Sequence, residues 1–395
     1  MTLGNSFKRQ ALLVIFSQIK FGNLKLTLPD GTTKKFSGNQ KGPRADMILR
    51  SDSAIIRILG HGKLGFCEAF MLGEIDSDNL TNLIELAVLH DSYLEDQIKL
   101  RTWQKLWLKF QHWRNRNNQS GSKRNISSHY DLGNQFYSRW LDRTMTYSSA
   151  VFQSDADTLE DAQTRKYQKL AELVDIQQGD RVLEIGCGWG GFAEYAAKEH
   201  GAHVTGITIS KEQYEFAKHR LRTAGLDHMT DIIMQDYRKL DQRFDKIVSI
   251  EMFEAVGEKY WPVYFKTIAN CLKDGGKAAL QVITIEHKAF LEYRTQPDFI
   301  QKYIFPGGML PSIQALDDPL RTAGLYLHSC QGYGKDYART LAEWKVRFQQ
   351  AWPELVTTTK FDDRFKRMWE LYLSYCEGGF KAGMIDVKQM LITHK

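Results

Sequence analysis

The chain has 395 residues, 43% of them hydrophobic and 25% charged, which excludes a disordered chain and leaves room for two domains of ordinary size. Its formal charge of +6 is too weak to signal nucleic acid, which is not expected as a partner, and suits a mildly anionic surface instead. The five cysteines are scattered and never in C-x-x-C spacing, and the eleven histidines show no ligand spacing, so a reducing compartment and no metal are expected. No run approaches the ~20 apolar residues of a spanning helix, and the apolar part of KRQALLVIF is too short for a signal peptide. A cytoplasmic location follows.

In chain order, residues 1–115 form an accessory unit. FGNLKLTLPDGTTKKFSG alternates around a Pro-Asp-Gly turn and predicts a hairpin. SDSAIIRILGHGKLGFCEAFMLGEIDSDNLTNLIELA has helical spacing broken by glycines, with Ser77, Asp78 and Asn79 placed to cap the helix that carries Leu80, Leu83, Ile84 and Leu86. Residues 99–126 carry eight Lys or Arg and no acid, with Leu100, Trp103, Trp107, Phe110 and Trp113 at helical spacing. That stripe fits a helix packed between domains and fits equally a membrane-surface helix, with Trp at headgroup depth and Lys or Arg on anionic lipid. Residues 116–127 read as a polar linker.

Residues 128–395 form the second unit. From about residue 170 the pattern is α/β: RVLEIG, HVTGIT, DIIMQ, FDKIVSIEM and GKAALQVITI are strands, with helices FAEYAAKEH, KEQYEFAKHRLRTAG and YFKTIANCL between them. This alternation predicts a mainly parallel sheet with helices on both faces, and LYLHSCQGY and DVKQMLITH supply an antiparallel edge.

In VLEIGCGWGGF, Gly186, Gly188 and Gly191 fit a dinucleotide turn, whereas Gly186, Gly188 and Gly190 fit the turn of S-adenosylmethionine enzymes. Either way the turn brings backbone N–H groups to a ligand. The next strand discriminates. It ends in TISKEQ with no acid at its tip to grip ribose hydroxyls, which disfavours NAD and is unusual for a generic methyltransferase.

VLEIGCGWGGF, VTGITISKEQ, MQDYRKL, MFEAVGEKYW and YIFPGGMLPS, preceded by HYDLGNQFYSRWLDRTMTYSSAVF and followed by YCEGGFKAGMIDVKQM, resemble in order and spacing the cyclopropane-fatty-acyl-phospholipid synthase family. The resemblance covers residues 128–395 and implies a Rossmann-like class I methyltransferase sheet with helical lid insertions, beside a smaller N-terminal domain that is membrane- or dimer-related. It implies transfer of a methylene group from S-adenosylmethionine to the cis double bond of an unsaturated phospholipid acyl chain in a bilayer. It further implies an enzyme peripheral on the inner membrane face, with a homodimer as one arrangement.

Site residues carry over by position. Tyr147 and Ser148 match cofactor contacts ahead of the sheet; Gly186, Cys187 and Gly188 match the turn; Thr208, Ile209, Ser210 and Gln213 match the ribose side; Asp236 and Tyr237 fall where adenine is held. Trp189, inside the turn, is expected beside the cofactor. The family binds a bicarbonate ion proposed to take a proton, and Tyr130, Glu254, Tyr337 and the backbone of Ile283 match its ligands. Three positions depart from that pattern: Ser149 stands for a Cys and Gln281 for a His, and Ala255 follows Glu254 in place of another His. Serine and glutamine still hydrogen-bond an anion, but the imidazole relay is lost. Glu254 becomes the leading general base or base-holder, and the bicarbonate site and ring closure are the features in question. Cys376 matches a cysteine labelled catalytic in the family, although alkene methylation needs no thiol and an isolated Cys is usually a packed small hydrophobe. Phe290 to Phe305 and Met309 to Ile313 are expected in a lid over the acyl chain. Two alternatives stand beside ring formation: a fatty-acyl C-methyltransferase that leaves a methyl or methylene branch, and a non-catalytic lipid-binding homologue.

Overall fold

A computed structural model describes residues 3–91 and 132–395. They divide into two units. The first takes residues 3–91, 295–304 and 341–384; the second takes 132–294, 305–340 and 385–395. The tryptophan-rich stretch 99–116 and Tyr130 lie outside the described residues.

In the first unit, β1 (Phe21–Thr27) and β2 (Thr33–Ser37) form the expected antiparallel hairpin. β3 (Gln40–Leu49) pairs parallel with β1, and β4 (Ile75–Asp76) closes the sheet in the order β2-β1-β3-β4. Helix Asp52–Met71 is interrupted at Gly62, whose φ of 58° has no place in a right-handed helix, so the glycine break read in the sequence is a real kink. Asn79 caps helix Leu80–Leu89 by accepting from the N–H of Asn82.

The expected units were contiguous, at 1–115 and 128–395, and the compact units differ because helix Asp363–Lys381 packs with the N-terminal residues. A Cβ at Gly378 would lie 2.7 Å from Ile84, so glycine permits this approach to helix Leu80–Leu89. The buried Glu377 carboxylate is matched there by Lys345, Lys381 and Thr81. Thr81 lies 264 positions from Lys345 and 296 from Glu377 in the chain.

The second unit holds β5 (Arg181–Ile185), β6 (His203–Thr208), β7 (Thr230–Met234), β8 (Phe244–Ile250), β9 (Leu272–Ile285), β10 (Leu325–Gly332) and β11 (Ile385–His394). The order is β10-β11-β9-β8-β5-β6-β7, parallel from β9 to β7 and antiparallel where β11 joins β9 and β10. Val182, Leu183 and Ile185 on β5 are all buried, as a strand covered on both faces requires. Helix Leu159–Val174 starts in a capping box of Thr158 and Asp161 and turns Leu170, Ala171 and Val174 onto the core. Its Gln163 and Lys166 are buried as well, and they belong to the site. Of the expected lid segments, Phe290 and Met309 are buried in the second unit, while Phe299 and Ile304 are buried among residues of the first.

Candidate active site

The chain reverses sharply after β5. Gly186, Gly188 and Gly190 all have positive φ, at 83°, 52° and 82°. A Cβ at Gly186 would come within 2.6 Å of Met252, whereas one at Gly188 would meet no protein atom within 4 Å. The first glycine is thus forced by packing and the second leaves the inner side of the turn open to a ligand. Gly190 caps helix Gly191–His200, whose N-terminus faces the turn with its partial positive charge. Cys187 is buried, with its thiol pushed up by burial and by the Glu184 carboxyl, so it packs and does not react. Trp189 is buried too: its indole N–H donates to Asn134 at 2.6 Å and its ring lies 5.2 Å from Tyr137. The Tyr147 ring joins the same group at 5.3 Å from Tyr137.

At the tip of β6 the neutral residues organise one another. Thr208 donates to the Gln213 carbonyl at 2.8 Å and accepts from the Ser210 N–H at 3.1 Å, and Ser210 caps the next helix by accepting from Gln213. Ile209 sits between them. This geometry presents backbone and amide groups where dinucleotide enzymes place an acid. After β7, Asp236 pairs with Arg238 and Tyr237 stacks edge-on against Tyr264 at 5.3 Å. Burial pushes the Asp236 carboxyl up, and the bonds from Arg238 outweigh it, so the group lies below its ordinary value.

The centre of the site is a residue that sequence reasoning passed over. Glu251 follows β8 directly, is half-buried, and has φ +50°. Its Oε1 accepts from the Ser149 N–H at 2.8 Å and from the Gln281 amide at 2.8 Å, and its Oε2 accepts from the Tyr337 hydroxyl at 2.6 Å. Three positions expected to hold a bound ion therefore converge on a protein carboxylate. Ser149 contributes its backbone, while its hydroxyl turns to the Ala150 carbonyl at 3.0 Å. Gln281 is held in orientation by Gln389, its cross-strand neighbour on β11, which donates to its carbonyl at 3.0 Å.

Glu254 lies one short 3₁₀ turn further on and accepts from the Ile283 N–H at 2.5 Å. Its other oxygen is buried without a partner. Burial and the charge of Glu251 push its carboxyl up to about 8, so it holds its proton at neutral pH. Burial also raises Glu251, but Tyr337, Gln281, Lys166 and the Ser149 N–H pull against it. Lys166 is buried as well; it donates to Ser148 Oγ at 2.6 Å and Gln163 at 2.7 Å, and burial lowers its ammonium to about 7 against the pull of Glu251. The site thus sets a carboxyl held by three donors beside one that keeps its proton, a difference in environment that suits separate roles in proton transfer.

Cys376 belongs to the first unit, where burial and the Asp298 carboxyl raise its thiol. It is a thiol at neutral pH, with none of the features that make a cysteine nucleophilic. Glu251 and Lys166 were the residues missed. In SIEMFEAV the first acid looks like a strand-end charge, and the only signal was its place directly after an apolar strand; for Lys166, on an ordinary helical pattern, there was none.

Sheet order, glycine turn and carboxylate-lined site together define a class I S-adenosylmethionine-dependent methyltransferase. The solved cyclopropane synthase of Mycobacterium tuberculosis superposes with a TM-score of 0.64 at 29% identity, covering 68% of this chain and 97% of that one. A mycolic acid cyclopropane synthase complexed with SAH and CTAB gives the same score over 69% and 98%. The model of the mycolic acid cyclopropane synthetase family matches residues 117–390, and the chain belongs to that family. Among curated relatives, a tuberculostearic acid methyltransferase of Mycobacterium tuberculosis is 40% identical over 94% of this chain and 88% of its own. The cyclopropane-fatty-acyl-phospholipid synthase of Escherichia coli is 38% identical over 88% of each chain. This chain is therefore an S-adenosylmethionine-dependent methyltransferase of the cyclopropane synthase type.

Proposed function

We propose that the enzyme transfers a methylene group from S-adenosylmethionine to the cis double bond of an unsaturated phospholipid acyl chain, leaving a cyclopropane ring. The observation that carries this is the pair of half-buried carboxyls, one held by three donors, in the unit that holds the cofactor turn: a reaction that ends by removing a C–H proton needs a positioned base. The turn fits the cofactor, since the Gly188 side is open and the β6 tip is uncharged. Gly186, Gly188, Thr208, Ser210, Gln213, Asp236 and Tyr237, with Tyr147 and Ser148, would hold it. When bound, it supplies an electrophilic methyl group, and addition to the alkene leaves a carbocation on the acyl chain. The carboxyl pair of Glu251 and Glu254 then receives a proton, and Tyr337, Gln281 and the Ser149 N–H keep that pair in place.

The branch-forming reading has its own support. The 40% identity to a tuberculostearic acid methyltransferase is as high as the identity to a cyclopropane synthase. The two outcomes differ only in which C–H gives up its proton, the new methyl or a neighbouring carbon. Incubating the enzyme with S-adenosylmethionine and mono-unsaturated phospholipid vesicles tests both. Upfield ring protons in the product NMR spectrum support the ring, a new methyl signal beside internal olefinic protons supports the branch, and no mass gain on any lipid refutes both.

No helix among the described residues is long and apolar enough to cross a membrane. A docking surface therefore completes the proposal: the basic tryptophan-rich stretch 99–116 meets anionic lipid headgroups at the cytoplasmic face. Lys/Arg→Glu substitutions there are expected to abolish sedimentation with anionic liposomes, and unchanged sedimentation refutes the docking role.

A further inference from the structure

We propose that Glu251 is the base that takes the proton from the methylated acyl chain, a built-in carboxylate where the resemblance places a bound bicarbonate. The assignment rests on the methylene-transfer reading above. Its ground is geometric: the Ser149 N–H, the Gln281 amide and the Tyr337 hydroxyl, three donors to which that ion would bind, are already committed to the two oxygens of one side chain. A carboxylate and a bicarbonate present the same planar O–C–O acceptor edge, and two such anions do not share one set of donors. The residues present therefore do not fit a bicarbonate at these atoms. The fourth expected donor, the Ile283 N–H, is likewise taken, by Glu254.

A carboxylate offers about four lone-pair sites, and three are used, two on Oε1 and one on Oε2. The remaining site on Oε2 accepts the proton. The charged groups around Glu251 favour its ionised form on one side and oppose it on the other. Lys166, Tyr337 and Gln281 support the charge, and Glu254, which faces it from the following turn, avoids a like charge by keeping its proton. The backbone points the same way. A non-glycine residue at φ +50° is strained, and such strain persists where the surrounding structure holds it, often at a functional site.

The step balances. Glu251 Oε2 forms a bond to hydrogen; the electron pair of the broken C–H bond closes onto the cationic carbon; the chain becomes neutral and the proton later leaves to solvent. If the C–H belongs to the new methyl, the pair makes the third ring bond. If it belongs to a neighbouring carbon, the pair makes a double bond.

Glu251→Gly is the informative variant, because glycine adopts this φ without strain and removes the carboxylate while leaving its donors in place. In carbon-dioxide-free buffer the native enzyme is expected to keep its full turnover, with no response to added bicarbonate. Glu251→Gly is expected to lose about a hundredfold or more in kcat while binding S-adenosylmethionine normally by calorimetry. Added formate or bicarbonate is then expected to restore a large part of its turnover, by lodging between the same donors. Glu251→Gln serves if the glycine variant folds poorly; it is expected to lose as much and to gain nothing from added anions. Near-normal turnover of either variant overturns the assignment, as does a native enzyme that stops when bicarbonate is removed. A native enzyme that alkylates no unsaturated lipid at all overturns the function itself, a result distinct from activity that depends on bicarbonate.

Discussion

Replacing Tyr337 by Phe removes one oxygen and leaves the ring in place. The lost contact is the 2.6 Å hydrogen bond to Glu251 Oε2, made by a buried tyrosine. A hydrogen bond to a charged group contributes about 1.5–3 kcal/mol, and 1.36 kcal/mol corresponds to one pKa unit. The bond favours the ionised form, so its loss raises the carboxyl by about 1–2 units. A base must be ionised to act, so the acid limb of the kcat/KM profile is expected to move to higher pH by that amount. Below the limb the variant loses about 10- to 100-fold, and above it the native rate returns. The assay is methyl transfer to mono-unsaturated phospholipid vesicles across a pH series, with cofactor affinity measured in parallel. A uniform loss at every pH, with the limb unmoved, would refute the reasoning, because it would show that Tyr337 acts other than through the ionisation of Glu251.

Three further outcomes follow from other contacts. Gly186→Ala places a Cβ 2.6 Å from Met252 at φ 83°, so it is expected to cost about 1–3 kcal/mol and to weaken S-adenosylmethionine binding; unchanged affinity by calorimetry would show that the turn does not carry the cofactor. Glu254 has its carboxyl raised from 4.5 to about 8, so the folded state holds a proton that the unfolded chain has released. That contribution is complete below the ordinary value and is lost as pH rises toward the folded one, so native stability should fall by about 2 kcal/mol between about pH 5 and 7 relative to Glu254→Gln. Equal pH slopes in urea unfolding would refute this. The buried Lys166 adds stability with rising pH only above its lowered value of about 7, outside that window. In the first unit, Lys345→Met removes the bonds at 2.6 Å to Thr81 and 2.7 Å to Glu377, leaving Lys381 as the remaining cation on that carboxylate. A loss of about 2–3 kcal/mol in urea unfolding is expected, and a loss under about 0.5 kcal/mol would show that Lys345 is a surface charge in effect.

Much of this protein was legible in the chain. The parallel strands follow from apolar runs between helical periods, the hairpin from its Pro-Asp-Gly turn, and the cofactor turn from glycines that the packing of Met252 and the positive φ angles require. These are local properties, set by residues within a few positions of one another. The motifs likewise named Ser149, Gln281, Ile283, Tyr337 and Glu254 as neighbours of one site, and the five do gather around the ends of β8 and β9.

What those residues gather around was decided only by the tertiary structure. Ser149 and Gln281 look like substitutions that weaken an ion site when each is compared with a motif, because a motif records a residue type and not where its donors point. In the fold, Ser149 uses its backbone N–H, whatever its side chain, and Gln281 is aimed by Gln389, 108 positions along the chain. Glu251, three residues from the acid that the motif marks, takes up both. The grouping of residues 341–384 with the N-terminal unit has the same origin, since the pairing of Thr81 with Glu377 spans 296 positions and leaves no periodicity to read. Local sequence settled the strands, the turn and the chemistry of the cofactor; long-range packing settled which carboxylate stands where the proton must go.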